Sequence, residues 1–162
     1  DERGKEVISL INNYKERNLF TIGRLDVQTT GLIIVTTDGE LSNIVNSPKF
    51  KIPKTYLVWV DKKLSKDMIL GLQLGTELDD GYVTKKTKKF KIIYNDDNKV
   101  MVKITITEGK KNQIRRMFEA YDRKVINLKR VQVGNHVLEG IDVGQSKRLS
   151  QQEMLNGLGV TK

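Results

Sequence analysis

Residues 89–106 constrain the fold more than any other stretch of this chain. Phe90, Ile92 and Tyr94 fall at alternate positions, Asn95-Asp96-Asp97-Asn98 carries turn chemistry, and Val100, Val102, Ile104 and Ile106 alternate again. A period of two on both sides of a turn predicts an antiparallel hairpin with one apolar face. Lys89, Lys91 and Lys103 fall on the opposite face.

The remaining elements build around that hairpin. Val7, Leu10, Ile11 and Tyr14 recur at i, i+3, i+4 and i+7, the spacing of an amphipathic helix. Residues 31–36 read as a buried strand, Asp38-Gly39 as a turn, and Leu41, Ile44 and Val45 as a short helix. Ser47-Pro48 and Pro53 bracket a loop before a strand at 56–60 that is rich in aromatic and β-branched residues. Residues 64–74 are predicted helical, with Ser65 as N-cap and Gly75 as stop. A helix over 112–121 puts Ile114, Met117, Phe118 and Tyr121 on one side, and 125–133 returns to strand. Ser150-Gln151-Gln152-Glu153 fits a capping box opening a terminal helix. With no repeat or linker, these elements imply one α+β domain on a largely antiparallel sheet.

Composition narrows the function classes. No apolar run approaches the ~20 residues of a membrane helix, and no secretory signal pattern is present. Cysteine is absent, which excludes disulfides and cysteine-metal sites and fits a cytosolic protein. The single His136 cannot build a His-rich metal centre or a Ser-His-Asp triad, and is read as structural or exposed. A net charge of +9 points to a polyanionic partner, the bland alternative being a surface kept soluble by lysine.

One local conflict stands out. Lys110, Lys111, Arg115 and Arg116 gather at the start of the helix expected from Asn112, where the macrodipole disfavours cations. Arg115 and Arg116 lie off the apolar stripe, so packing does not require them. An anion would resolve the conflict: a phosphate, a carboxylate, or both. Asp26 is the candidate carboxylate, although an aspartate in a loop ordinarily caps or turns the chain, and spacing alone does not pair it with Arg115.

Gly23-Arg24-Leu25-Asp26 followed by Thr29-x-Gly31-Leu32-Ile33-Ile34 and the Thr37-Asp38-Gly39 turn resembles the catalytic motif of pseudouridine synthases of the RsuA/RluB/E/F type. Lys54-Thr55-Tyr56 matches that family's Lys-x-Tyr motif, and Glu108-Gly109 through Gln113-Ile114-Arg115-Arg116-Met117 its arginine motif. Three motifs in the right order cover residues 20–155. Within the family the RluF branch is the most similar, through Lys54 to Val58, Val83 to Lys86, Val133 to Ile141 and Gly144 to Ser150.

The resemblance implies a mixed, mainly antiparallel sheet flanked by helices, with the active cleft across its middle. It implies cofactor-free and metal-free isomerisation of a uridine, in which the base is detached, turned and rejoined to its sugar through carbon. Asp26 would be the nucleophile, attacking either ribose C1′ or uracil C6. Arg115 would pair with Asp26 and orient it, a role that lysine does not reproduce. Tyr56 would stack on the uracil and help remove the C5 proton, and Leu128 would supply an apolar floor that packing explains equally well. Reaching such a pocket requires the base to flip out of its helix, at a few kcal/mol. Arg24 would hold the flipped nucleotide or fill the space it vacates, while Lys54, Lys110, Lys111, Arg116 and Arg130 would contact RNA. Lys85, Lys86, Lys88, Lys89 and Lys91 read equally as a solvated strand face or an RNA contact.

Relatives usually carry an N-terminal S4 RNA-binding domain and a first strand with a Lys-Pro-x-Gly motif. The expectation is therefore a catalytic domain over 1–162 that lacks that strand and the S4 domain. The expected partner is ribosomal RNA of the large ribosomal particle, 23S in a bacterium-like cytoplasm, with the protein a monomer and no membrane involved. The rival reading is a non-catalytic RNA-binding or ribosome-assembly module using the same basic face. Asp26 separates the two, because a phosphate binder gains nothing from a carboxylate in a cationic groove.

Overall fold

The computed structural model describes residues 19–23 and 25–160. The helix expected around Val7 to Tyr14, and Arg24, lie outside the described residues. The expected hairpin is formed by β5 (Lys89–Asn95) and β6 (Val100–Ile106), which pair antiparallel with Phe90 opposite Ile104 and Lys91 opposite Lys103. Asp96 closes the turn, its side chain accepting from the backbone of Asn98 and Lys99. Val102 and Ile104 are fully buried, as the alternation predicts, but Thr105 is buried as well, and a register shift between Ile92 and Tyr94 sets Tyr94 opposite Met101 and leaves it exposed, off the expected apolar face.

Around this hairpin the chain adds β4 (Lys54–Val60), β7 (Val125–Val133), β2 (Thr29–Gly31) and β8 (His136–Val137). The sheet runs β2-β7-β4-β6-β5, with β8 on β7. Among the described residues only the β2–β7 pairing is parallel. A separate two-stranded sheet joins β1 (Phe20–Ile22) to β3 (Ile34–Thr36). Among the described residues four α-helices flank the strands: α1 (Gly39–Asn46), α2 (Lys66–Leu74), α3 (Gln113–Glu119) and α4 (Gln151–Leu158). The architecture is the expected α+β one, mixed and mostly antiparallel. No helix among the described residues is long and apolar enough to cross a membrane.

The strands and helices enclose two apolar cores. In the first, Leu72, Met117 and Phe118 of α2 and α3 pack on Val58, Val102, Ile104 and Leu128 of the sheet. In the second, Ile22, Ile34, Leu41 and Val45 meet Leu155, Leu158 and Val133. Strand β7 runs from the first core, at Val125 and Leu128, into the second, at Val133. Arg130 falls between them.

Two expectations need correction. The strand expected over 31–36 is split: Thr29–Gly31 joins β7, and Ile34–Thr36 pairs with β1. Gly31 at φ 117 turns the chain out of one sheet toward the other. The helix expected from Asn112 starts at Gln113, and Asn112 itself is left-handed with no side-chain cap. Arg116 then sits in the last turn, where the dipole favours a cation, so only Lys110, Lys111 and Arg115 belong to the disfavoured end.

The terminal capping box is formed: Ser150 accepts from Glu153 N, and the Glu153 carboxylate accepts from Ser150 N. His136 is structural, its Nε2 lying 3.0 Å from the Met154 carbonyl. A Cβ at Gly157 would stand 2.3 Å from His136 Cε1 and Nε2. Gly157→Ala should therefore displace the ring from Met154 and cost about 1–3 kcal/mol. Urea unfolding measures that loss, and adding His136→Ala should recover part of it.

Candidate active site

The loop that carries Asp26 ends in a short turn, with Thr29 N donating to the Asp26 carbonyl at 2.8 Å. Asp26 is half-buried, whereas Val27 is 79% exposed. The chain then enters β2, with Thr29 opposite Leu128 and Gly31 opposite Arg130. Here backbone approaches backbone closely. A Cβ on Gly31 would lie 2.1 Å from the Arg130 carbonyl oxygen, so no other residue fits at this position. Leu32 N donates to the Arg130 carbonyl at 2.8 Å, and Arg130 Nε donates to the Leu32 carbonyl at 2.9 Å. Arg130 thus clamps the loop's exit from both its backbone and its side chain.

Arg130 is 2% exposed, among the largest fully buried side chains of the described residues. It faces Tyr56 across β4 and β7, beside a register shift between Thr55 and Tyr56. Burial pushes the Tyr56 phenol above its ordinary range; the Arg130 guanidinium, charged and hydrogen-bonded to it, opposes that shift, and the Asp26 carboxylate adds to it. The Lys54 ammonium is held below its usual range by burial and by the like charge of Arg130. Asp26, Tyr56, Lys54 and Arg130 therefore share one electrostatic neighbourhood.

Arg115 approaches from α3. Its Nη2 donates to the Gln28 carbonyl at 2.9 Å and its Nη1 to the Val125 carbonyl at 3.2 Å. The arginine motif and the Asp26 loop are thus brought together, but through backbone carbonyls. Among the described residues, ion pairs within 4.0 Å are those of Arg116 with Asp79 and Asp80, and the expected Asp26–Arg115 pair is not one of them.

Three buried side-chain polar atoms have no hydrogen-bond partner among the described residues: Thr29 Oγ1, Arg115 Nε and Arg130 Nη2. An unsatisfied buried polar atom costs about 1–3 kcal/mol, so such atoms are rare and call for an explanation. All three belong to residues that form or hold the Asp26 loop.

The other expected residues are dispersed around this centre. Leu128 is 4% exposed in the first core, where Tyr56 packs against that cluster. Lys54 is half-buried, its Nζ 3.3 Å from where a Gly109 Cβ would be. Lys110 places its ammonium 4.4 Å from the centre of the Tyr82 ring. Lys111 is exposed, its carbonyl accepting from Arg116. Arg116 is engaged by Asp79 at 2.7 Å and Asp80 at 3.0 Å, so its charge is already met. Arg130, expected as a phosphate contact, is instead enclosed against β2, because Gly31 lets that strand close over it.

Sequence reasoning gave no individual role to Gln28, Thr29, Tyr82 or Glu108. The Tyr82 hydroxyl donates to the Glu108 carboxylate, which also accepts from Lys85 N at 2.7 Å. That contact ties the segment before β5 to the segment before α3. Glu108 was visible as part of a motif, but nothing local pointed to Tyr82.

The sequence profile of the RNA pseudouridylate synthase family matches residues 1–120. The chain belongs to that family. Ribosomal large subunit pseudouridine synthase B of Bacillus subtilis is 32% identical over 95% of this chain and 63% of its own length. Ribosomal small subunit pseudouridine synthase A of Vibrio parahaemolyticus is 37% identical, over 90% of this chain and 62% of its own length. A crystal structure of a pseudouridylate synthase superposes with a TM-score of 0.81 at 33% identity, covering 93% of this chain and 64% of that one. The chain thus spans about three fifths of the length of these pseudouridine synthases. The archaeal box H/ACA sRNP Nop10-Cbf5 complex, at 16% identity and a TM-score of 0.60, shares the fold.

Proposed function

We propose that this chain is the catalytic domain that isomerises a uridine of ribosomal RNA to pseudouridine, with 23S RNA as its substrate and Asp26 as nucleophile. The observation that carries the reading is that the unpartnered Thr29 Oγ1, Arg115 Nε and Arg130 Nη2 all belong to residues in or touching the 28–32 segment that follows one half-buried carboxylate. A phosphate-binding module would gain nothing from that carboxylate.

Asp26 forms a bond to ribose C1′ as the C1′–N1 bond breaks, or adds to uracil C6 before that bond breaks. The uracil turns, its C5 bonds to C1′, the carboxylate leaves, and the C5 proton is lost while N1 regains one. Tyr56, its phenol pushed up by burial, is neutral at physiological pH, so its ring is available to stack on the base and its hydroxyl to donate. Arg115 holds the Gln28 carbonyl and so orients the loop two residues beyond Asp26. Arg130 fixes the chain at Leu32, on the far side of β2 from that loop.

Pseudouridine mapping on unmodified 23S and 16S ribosomal RNA tests this reading. One new 23S site, absent when Asp26→Asn is used, is expected. A site in 16S RNA would keep the chemistry and change the substrate, and no product from either RNA would leave the binding-module reading.

Arg115→Lys supplies a second test. A lysine ammonium cannot span the Gln28 and Val125 carbonyls as the guanidinium fork does. Turnover should fall about 10²-fold through displacement of the loop, with RNA affinity changed little. Equal losses of turnover and affinity would make Arg115 a phosphate contact instead.

A further inference from the structure

The sheet has a second face, and its chemistry differs from that of the catalytic one. Side chains alternate along each strand, so Tyr56, Val58, Ile104, Leu128 and Arg130 share one face while Leu57, Trp59, Lys91, Lys103 and Lys129 share the other. Pairing puts Lys91 opposite Lys103, Lys103 opposite Leu57, Leu57 opposite Lys129, and Lys129 opposite Thr30. One rung therefore crosses all five strands and carries three lysines. Its end at Thr30 belongs to β2, the strand that follows the Asp26 loop.

That arrangement has an intrinsic cost. Like charges directly opposite on neighbouring strands repel, and Lys91 and Lys103 are such a pair. Lys91 and Lys103 are exposed and Lys129 half-buried, and no ion pair among the described residues neutralises any of them. Beside the rung lies a concavity of about 410 Å³ whose lining includes Lys103, Lys129, Val131, Gln132 and Leu138 together with one carboxylate, the exposed Glu139. On the adjoining rung Trp59 is half-buried between Met101 and Asn127. A row of cations next to an available indole is the combination that tracks a phosphate backbone while stacking an unpaired base.

We infer that this face is a second RNA-binding surface, taking a single-stranded segment with phosphates on Lys91, Lys103 and Lys129 and a base against Trp59. It rests on the reading that the substrate is RNA, and it lies across the sheet from Tyr56 and Leu128. Its task is to hold RNA beyond the target nucleotide, offsetting the cost of flipping with contacts that never touch the reacting base.

Trp59 is the sole tryptophan of the chain, so its fluorescence reports on this face directly. Titrating the protein with an oligoadenylate, which contains no uridine to modify, separates binding here from catalysis. The expected result is quenching of Trp59 whose apparent affinity falls steeply with salt. Lys91→Gln/Lys103→Gln/Lys129→Gln should weaken that affinity about tenfold or more and lower the slope of log K against log salt by about two. The matching arginine triple should retain binding, and Lys49→Gln/Lys51→Gln/Lys147→Gln should leave the slope less affected. Lys103→Gln alone should raise the melting temperature by about one to three degrees, because it removes the opposed charge. No quenching by the oligoadenylate, an unchanged slope in the glutamine triple, or loss of binding in the arginine triple would each overturn the assignment. Because no product is read out, a failure here is distinct from a failure of the isomerase reading.

Discussion

Asp26→Asn should lower pseudouridine formation by about 10⁴-fold or more while RNA affinity stays within about twofold. Asparagine preserves the volume of the side chain, and the turn at this position uses the Asp26 carbonyl, which the substitution leaves intact. What disappears is the negative oxygen that, in the proposed mechanism, forms the covalent bond to the nucleotide. Removing one negative charge from a basic surface would, if anything, favour a polyanion, so weakened binding cannot account for lost turnover. Single-turnover kinetics at saturating RNA, beside filter binding on the same protein, separates the two quantities. Product formed at the parental rate would remove Asp26 from its assigned role.

The sequence spoke most clearly where structure is local. Strand β7 is read at 125–133 and found as Val125–Val133, and the β5–β6 hairpin is found with its expected turn. Ser65 and Ser150 cap their helices through their own side chains. These features depend on a period of two or on an oxygen next to a free N–H, and both are visible in a short window. What escaped notice depends on contacts between distant segments. Arg130 looks like one more surface cation in a basic chain, and only the parallel pairing of β2 with β7 buries it. Thr29 looks like an ordinary strand threonine until the same pairing encloses its hydroxyl. The site motifs were legible by resemblance, but the means by which they meet was not. Arg115 reaches the Asp26 loop at a backbone carbonyl, and side-chain type does not encode that contact.

The Gly31 position tests whether this scaffold, rather than the charged groups alone, sets the rate. Gly31→Ala introduces a Cβ that would lie 2.1 Å from the Arg130 oxygen and 2.7 Å from its nitrogen, both backbone atoms that cannot rotate away. The residue also sits at φ 117, a conformation that alanine adopts only under strain. Strand β2 must therefore move off β7, which lengthens or breaks the Leu32–Arg130 hydrogen bonds in both directions. We expect a loss of about 3 kcal/mol or more in stability and, in the fraction that stays folded, a fall of about 10²–10³-fold in turnover from misplacing Asp26. Arg130→Lys isolates the side-chain half of the clamp: the backbone bond from Leu32 survives, and a lysine cannot also reach Tyr56 as the planar fork does. It should retain most of the stability yet lower turnover by about tenfold or more. Hydrogen exchange at the amides of 29–32, read beside turnover, decides the matter. Fast exchange at Leu32 in Gly31→Ala with slow turnover ties the rate to the clamp; slow exchange with full turnover would mean that the loop holds Asp26 without it.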